Sequence, residues 1–197
     1  MKRLLIVAMS PLRSDPRVLR QIELFQDKYQ VITMGYGPRP DGVAKHVRLP
    51  EPTKTSFAQK VRKAILSALR WNEQVYLEFP GIRAAKDWLA AGREDFDAVL
   101  VNDLSPVPAL LDAGKPVHVD LHEWALGQHP TLSWRLYQLP VLRWAASRLG
   151  GVTSATAVSP GIAGLYAEFL DSHPEVVASG PRYQDDRAPQ AVARPIR

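Results

Sequence analysis

Cysteine is absent from this chain of 197 residues. Its absence excludes a disulfide framework and a thiolate metal site. It is consistent with a reducing compartment, and we therefore expect a cytoplasmic protein.

Long apolar runs are also missing. The apolar run nearest the N-terminus, Leu4–Met9, has six residues, whereas a secretory segment needs roughly 7–15 and a cleavage site of small residues. No other stretch approaches the ~20 apolar residues of a membrane span. We therefore expect neither a signal peptide nor a transmembrane helix, and we interpret Leu4–Met9 as a first buried strand.

Three signatures of well-known chemistries do not occur. There is no G-x-G-x-x-G loop, which argues against a nicotinamide-dependent dehydrogenase half. There is no G-x-S-x-G elbow, which argues against a serine hydrolase of that type. A lone histidine among scattered carboxylates has no metal-ligand spacing. We expect no bound metal and no cofactor.

The composition that remains is ordinary. The apolar fraction is 46% and the charged fraction 23%, as in soluble globular domains. The formal charge of +5 suits phosphate-bearing or membrane surfaces, although it is a weak signal. We expect no nucleic-acid partner.

Strands and helices are predicted to alternate along the chain. A strand, a helix and a strand fit within the first 35 residues, which forces parallel pairing and a right-handed crossover. The predicted strands are 4–9, 30–35, 43–49, 97–102, 117–121, 156–158 and 176–177. The predicted fold is therefore α/β, a single Rossmann-like, doubly wound parallel sheet with helices on both faces, over residues 1–178. Residues 179–197 hold three prolines and four arginines and are predicted to form a linker or C-terminal strap.

The helix predicted over residues 56–71 has two interpretations. Phe57, Val61, Ile65 and Leu69 repeat at helical spacing, and no acidic residue lies between Lys54 and Asn72. The favoured interpretation is a crossover helix that packs this stripe into the core. The alternative is peripheral contact with anionic lipid, at the inner face of a membrane.

Polar residues are predicted to follow three strands. In an open α/β sheet, ligands bind beyond the carboxyl ends of the strands. The stretch Val117–Trp124 is a strand ending in Asp120, His122 and Glu123. We interpret His122 as an acid/base or orienting group, and His118, in mid-strand, as a satisfied core histidine.

The two earlier strand ends each have a functional and a plain interpretation. Asp15 and Pro16 start a helix, and Ser14 and Arg17 lie beside them; this loop is either a phosphate or sugar cradle or a capped helix start. Asn102-Asp103 either binds sugar hydroxyls or caps the next helix, and for Asp103 capping is favoured.

Several motifs together resemble one family. Ser14-Asp-Pro-Arg-Val18 with Tyr29-Gln-Val-Ile-Thr33, Asn102-Asp103, Val119-Asp-Leu-His-Glu123 and Thr156-Ala-Val-Ser-Pro-Gly-Ile162 stand in sequence order. In that order and spacing they resemble the N-terminal half of family 4 glycosyltransferases of the GT-B fold. The resemblance covers most of residues 1–178.

The resemblance implies an acceptor-side domain of a retaining enzyme that uses a nucleotide-sugar as donor substrate. It implies that His122 is the active-site histidine, that Ser14, Asp15 and Arg17 belong to the first substrate-binding loop, and that Asp103 and Glu123 face the pocket. The expected acceptor is a sugar or a lipid-linked molecule.

One family feature is missing. The donor domain of these enzymes carries two glutamates with seven residues between them. No Glu in this chain has another Glu eight positions later. We expect the C-terminal donor domain to be missing, the chain alone to be inactive, and the exposed docking face to allow homo-oligomers. The alternative is a non-catalytic binding module for a glycan, a lipid head group or a protein partner.

Overall fold

A computed structural model describes residues 1–128, 131–178 and 180. Its centre is a parallel sheet of seven strands in the order β3-β2-β1-β4-β5-β6-β7. The strands are β1 (Arg3–Pro11), β2 (Gln30–Tyr36), β3 (Lys45–Arg48), β4 (Ala98–Asn102), β5 (Val117–Leu121), β6 (Ser154–Ala157) and β7 (Glu175–Val176). The predicted α/β fold with a parallel sheet is confirmed, and β3 lies at one edge of the sheet.

The α-helices of the described residues occupy the connections between the strands. They are α1 (Pro16–Phe25), α2 (Phe57–Ala68), α3 (Asn72–Leu77), α4 (Pro80–Ala90), α5 (Val107–Leu111), α6 (Leu139–Ala146) and α7 (Pro160–Tyr166). Asp15 and Ser159 cap α1 and α7 with their side chains, and a proline begins each helix. The start of α1 was predicted from Asp15 and Pro16.

The strand order reverses at β1. This strand pairs with β2 on one side and with β4 on the other, both in parallel. The chain moves outwards from β1 to β3, crosses back to β4 and then moves outwards to β7. Such a switch point leaves a crevice beyond the carboxyl ends of the two central strands.

The two faces of the sheet carry separate cores. Leu4 and Ile6 of β1 pack with Val18 and Ile22 of α1. Leu5 and Val7 pack instead in a larger cluster to which α4, α5, α6 and α7 contribute. Because alternate residues of a strand point to opposite faces, the sheet is covered on both sides, as predicted.

The helical region that contains Pro140 changes form along its length. Trp134–Gln138 adopt π-helical geometry, and α6 follows directly. Proline lacks the N–H that would continue an α-helical ladder, and a wider turn accommodates that loss. This helical region therefore begins as a π-helical segment and continues as α6.

The favoured interpretation of α2 is wrong. Phe57 is 82% exposed and Ile65 55%, and Val61 and Leu69 are exposed as well. The buried residues of this helix are Lys63 and Ser67. The helix packs chiefly on α3 and the π-helical segment. Lys63, Ser67 and the half-buried Leu66 point inward, and the apolar stripe faces solvent.

Lys63 is buried without a carboxylate partner among the described residues. Its Nζ lies 4.5 Å from the ring centroid of Phe79 and 5.8 Å from that of Tyr137. Burial lowers the pKa of Lys63 below its ordinary value, and the charge of Glu78 offsets this only in part. The two aromatic faces supply the remaining stabilisation of the ammonium.

The burial of Lys63 predicts a pH dependence of stability. The folded protein binds fewer protons than the unfolded one between the lowered pKa and the ordinary value of 10.5, so the free energy of unfolding from this group rises with pH through that window. Lys63→Met should remove this rise. Urea unfolding at several alkaline pH values measures it, with exposed Lys28→Met as the control. Equal slopes for the wild type and Lys63→Met would contradict it.

No helix within the described part of the chain is long and apolar enough to cross a membrane. The predicted linker or strap over residues 179–197 lies outside the described residues, apart from Gly180. The carbonyl of Gly180 accepts a hydrogen bond from Arg20 on α1.

Candidate functional site

A chain of polar contacts runs across the carboxyl ends of β1, β4 and β5. It starts at Ser10, whose hydroxyl donates to the Asp15 carboxylate over 2.7 Å. Asp15 also accepts from the backbone N–H of Arg17 over 3.1 Å and so caps α1. Burial opposes ionisation of Asp15, but the bonds from Arg17 and Ser10 outweigh it and hold its pKa below the ordinary value.

Arg17 joins two carboxylates. Its Nη2 lies 3.1 Å from Asp15 Oδ2, and its Nη1 lies 3.1 Å from Asp103 Oδ2. The hydrogen bonds to Asp15 and the two negative charges raise the pKa of Arg17 against the effect of burial. The anion position at the start of α1 is therefore already filled by Asp15, a geometry that favours the capped-helix interpretation of this loop.

Asp103 occupies a left-handed backbone conformation, with a φ of 66°. This costs a non-glycine residue roughly 1–2 kcal/mol, and aspartate tolerates it better than most. Its Oδ1 accepts from the backbone N–H of His122 over 3.1 Å. Asp103 does not cap α5, whose N-cap is Pro106 without a side-chain bond, so the favoured capping interpretation was wrong. Burial raises the pKa of Asp103, and Arg17 opposes that rise.

His122 is turned onto Asp120, two residues earlier on β5. Its Nε2 lies 2.9 Å from Asp120 Oδ2, and its side chain is 11% exposed. Burial opposes ionisation of Asp120, but the bonds from His122 and Thr156 lower the pKa of Asp120 below its ordinary value. A carboxylate at Nε2 fixes the proton there, so a neutral His122 presents Nδ1 as a hydrogen-bond acceptor.

Neighbouring side chains hold Asp120 in place. Thr156 donates to its Oδ1 over 2.8 Å, and Gln21 donates to its Oδ2 over 3.0 Å. His118 lies against Ser154 and Thr156, at 2.8 and 3.1 Å. His118 is therefore satisfied, as predicted, but it is half-buried rather than in the core.

Gln21 and Thr156 are the members of this network that sequence reasoning missed. Gln21 Oε1 accepts from Asn102 over 2.9 Å and so joins α1 to the end of β4. Gln21 lies one helical turn after Arg17, which places both on one face of α1. That spacing was the available signal.

The structure brings four of the six predicted site residues together: Asp15, Arg17, Asp103 and His122. Ser14 is exposed, and its hydroxyl donates to the carbonyl of Pro11. Glu123 is also exposed, and its backbone carbonyl accepts from the Tyr166 hydroxyl. Neither side chain joins the network within the described residues.

An apolar cavity of about 240 Å³ opens beside the same strand ends. Its walls include Met9, Tyr36, Phe79, Ile82 and Leu142. Met9 and Ser10 are successive residues of β1 and point to opposite faces of the sheet. The cavity therefore lies on the side of α4 and α6, and the polar network lies on the side of α1.

A metal centre would need several clustered ligands. Within residues 1–128, 131–178 and 180, no three His, Asp or Glu side chains are grouped so as to hold a metal ion. The polar network instead consists of paired charges and neutral donors.

Comparison with known proteins shows which solved structures have a similar fold. No protein-family model matches the chain, and no curated protein matches it. Among solved structures, the α,α-trehalose-6-phosphate synthase of Burkholderia multivorans is similar, with a TM-score of 0.52 and 16% identity, over 87% of this chain and 42% of that one.

Two plant proteins are similar to the same degree. UGT2 of Phytolacca americana, solved with UDP-2-fluoro-glucose and pterostilbene, has a TM-score of 0.52 and 12% identity, over 94% of this chain and 55% of its own. A UDP-glucosyltransferase from Polygonum tinctorium, capable of glucosylating indoxyl, has a TM-score of 0.52 and 12% identity, over 95% and 54%.

These neighbours are glycosyltransferases of the GT-B fold. At such identities the likeness establishes the fold alone: the chain has the Rossmann-like fold of one half of a GT-B glycosyltransferase. It spans about half the length of each neighbour. Membership of family 4 stays a prediction.

Proposed function

We propose that the chain is the acceptor-side half of a retaining, cytoplasmic glycosyltransferase of family 4 type, whose donor is a nucleotide-sugar. One observation carries this proposal: Asp15, Arg17, Asp103 and His122 form one connected network at the carboxyl ends of strands in a half GT-B fold. Ligands of open α/β sheets bind at that edge. The order of the sequence motifs supports the family and retention of configuration.

His122 is the proposed reactive group. Asp120 fixes its ring through Nε2, which leaves Nδ1 to accept a hydrogen bond or a proton from a sugar hydroxyl. Asp103 acts as a positioning residue, because it holds the backbone of His122 and is itself held by Arg17. Ser14 and Glu123 remain proposed substrate contacts, since both are exposed beside this network.

The donor side of the reaction requires a partner. We propose that a second domain holds the nucleotide-sugar and closes on the strand ends, and that the chain alone transfers no sugar. The test joins the chain to a donor-binding domain, either from the coding sequence after residue 197 or from a GT-B neighbour, and follows transfer from a labelled UDP-sugar. Absence of transfer from every donor and acceptor tried, with the fold intact, would refute the proposal.

The acceptor is proposed to carry an apolar part as well as a sugar or hydroxyl. The cavity beside the same strand ends is lined mostly by carbon, from side chains such as Met9, Phe79 and Leu142. At about 240 Å³, it takes a ring or a short alkyl segment rather than a whole drug-sized ligand. A lipid-linked acceptor has these two parts.

Leu142→Gln tests the apolar part of the acceptor. Leu142 is half-buried at the cavity wall, so an amide there should raise the acceptor KM about tenfold and leave kcat nearly unchanged. Steady-state transfer by the joined protein measures both constants. Leu165→Gln, the same substitution at an exposed site outside the cavity, is the control. Equal KM values for the two variants would contradict the assignment.

A non-catalytic binding module remains the second candidate. It predicts that the same acceptor binds the chain without any transfer when a donor domain is joined. Saturation-transfer NMR with acceptor alone, followed by the transfer assay, separates the two functions.

A further inference from the structure

The outward side of α2 is apolar, and two exposed leucines at the start of the π-helical region lie beside it. Phe57, Val61, Ile65 and Leu69 are exposed on α2, and Leu132, at 73% exposure, and Leu136 lie beside them. We call these six residues the α2 face. A shallow groove between α2 and residues 132–137 joins the two sets of side chains into one surface.

The arrangement of α2 is the reverse of that of an ordinary surface helix. A surface helix buries its apolar stripe and exposes its charges. Here Lys63 and Ser67 are buried, the Ser67 hydroxyl lacks a partner among the described residues, and the apolar stripe faces outwards. Exposed apolar patches with a polar rim mark interaction surfaces.

The rim of the α2 face is basic. At about 100° per residue, Lys60 falls on one flank of the stripe and Arg62 on the other. Arg135 is exposed beside Leu132 and Leu136. No Asp or Glu occurs in residues 55–71 or in residues 124–167, the two stretches of sequence that contain the six residues of the α2 face. Arg62 has an ion pair with Glu78, and its side chain is still largely exposed.

We propose that the α2 face docks on an anionic lipid bilayer. Its apolar side chains enter the boundary between head groups and acyl chains, and Lys60, Arg62 and Arg135 meet the lipid phosphates. A second copy of the chain is a poorer occupant, because it would bring the same cations together with no carboxylate from either face. This docking holds whether or not the chain takes part in sugar transfer.

Vesicle co-sedimentation of the chain tests the docking. The wild type should sediment with mixed phosphatidylcholine and phosphatidylglycerol vesicles, bind phosphatidylcholine vesicles weakly, and be released by added salt. Phe57→Ser should lower the partition coefficient about tenfold. Lys60→Glu should lower it about thirtyfold, because it replaces one favourable charge with an unfavourable one.

The controls make the same kinds of change, apolar to serine and lysine to glutamate, on α1 or just after it. Leu24, 63% exposed, and Lys28 lie outside the α2 face, so Leu24→Ser and Lys28→Glu should leave partition within about twofold of the wild type. Circular dichroism and thermal unfolding confirm that each variant is folded, and Ile65→Ser repeats the test at a second exposed site.

Three results would overturn the proposal. The first is no sedimentation of the wild type with anionic vesicles. The second is sedimentation that Phe57→Ser, Ile65→Ser and Lys60→Glu leave unchanged. The third is a concentration-dependent dimer in light scattering that Phe57→Ser abolishes, without vesicle binding, since a second copy would then cover the face.

Discussion

Replacing His122 with alanine should lower kcat for sugar transfer by about a hundredfold in the protein joined to its donor domain. The imidazole lies just beyond the end of β5, and Asp120 fixes it through Nε2 at 2.9 Å. Alanine removes Nδ1 as a proton or hydrogen-bond acceptor while the backbone N–H of His122, which Asp103 holds, remains. The acceptor KM should therefore change little.

The matched control for His122→Ala is His173→Ala. His173 is exposed near the end of the described residues, and its Nδ1 contacts only the carbonyl of Pro174 among them. Asp120→Asn provides a second comparison, because it keeps the shape but changes the hydrogen-bonding of the ring; it should lower kcat less than His122→Ala and shift the pH profile. Full kcat in His122→Ala would remove His122 from the mechanism.

The parallel sheet and its element order follow from local sequence patterns. Leu4–Met9 and Ala98–Val101 are short apolar runs, and each lies in a strand. Val117–Leu121 alternates apolar and polar residues and is also a strand. Asp15-Pro16 and Ser159-Pro160 mark helix starts through the capping oxygen and the fixed φ of proline. These signals act over a few residues, so a single sequence contains them in full.

The sequence pattern of α2 does not determine which side of the helix faces the core. Phe57, Val61, Ile65 and Leu69 form the same stripe whether they face the core or the solvent. The outcome depends on which layer the helix packs against. Here the rings of Phe79, just before α4, and of Tyr137, in the π-helical segment, lie against the Lys63 ammonium. A periodicity identifies an amphipathic helix but not the environment of its apolar side.

The polar network could be predicted from the sequence only in part. The sequence predicts that the ends of β1, β4 and β5 meet, because parallel strands share one edge. It does not predict that Arg17 reaches Asp103, 86 residues later, or that Asp103 takes a left-handed backbone and binds the N–H of His122. Side-chain reach and backbone strain are tertiary properties, so Gln21 and Thr156 were missed for the same reason.

Replacing Arg17 with methionine should lower the free energy of unfolding by about 3 kcal/mol near neutral pH. Methionine keeps the aliphatic volume but leaves Asp15 and Asp103 facing each other without the guanidinium between them. Neither carboxylate is more than a quarter exposed, at 6% and 25% of their side-chain surfaces. Removing one partner of a mostly buried network costs more than the network itself contributes, because uncompensated charge remains.

The pH dependence separates this electrostatic cost from a packing defect. Arg17 holds the pKa of Asp15 below its ordinary value of 3.8, so this stabilisation is present above that value and is lost as pH falls through the lowered pKa. The difference between the wild type and Arg17→Met in urea unfolding should therefore shrink towards acid pH. Arg17→Lys keeps the charge without the planar fork and should fall between the two. A destabilisation that is equal at all pH values would mean that Arg17 acts only through packing.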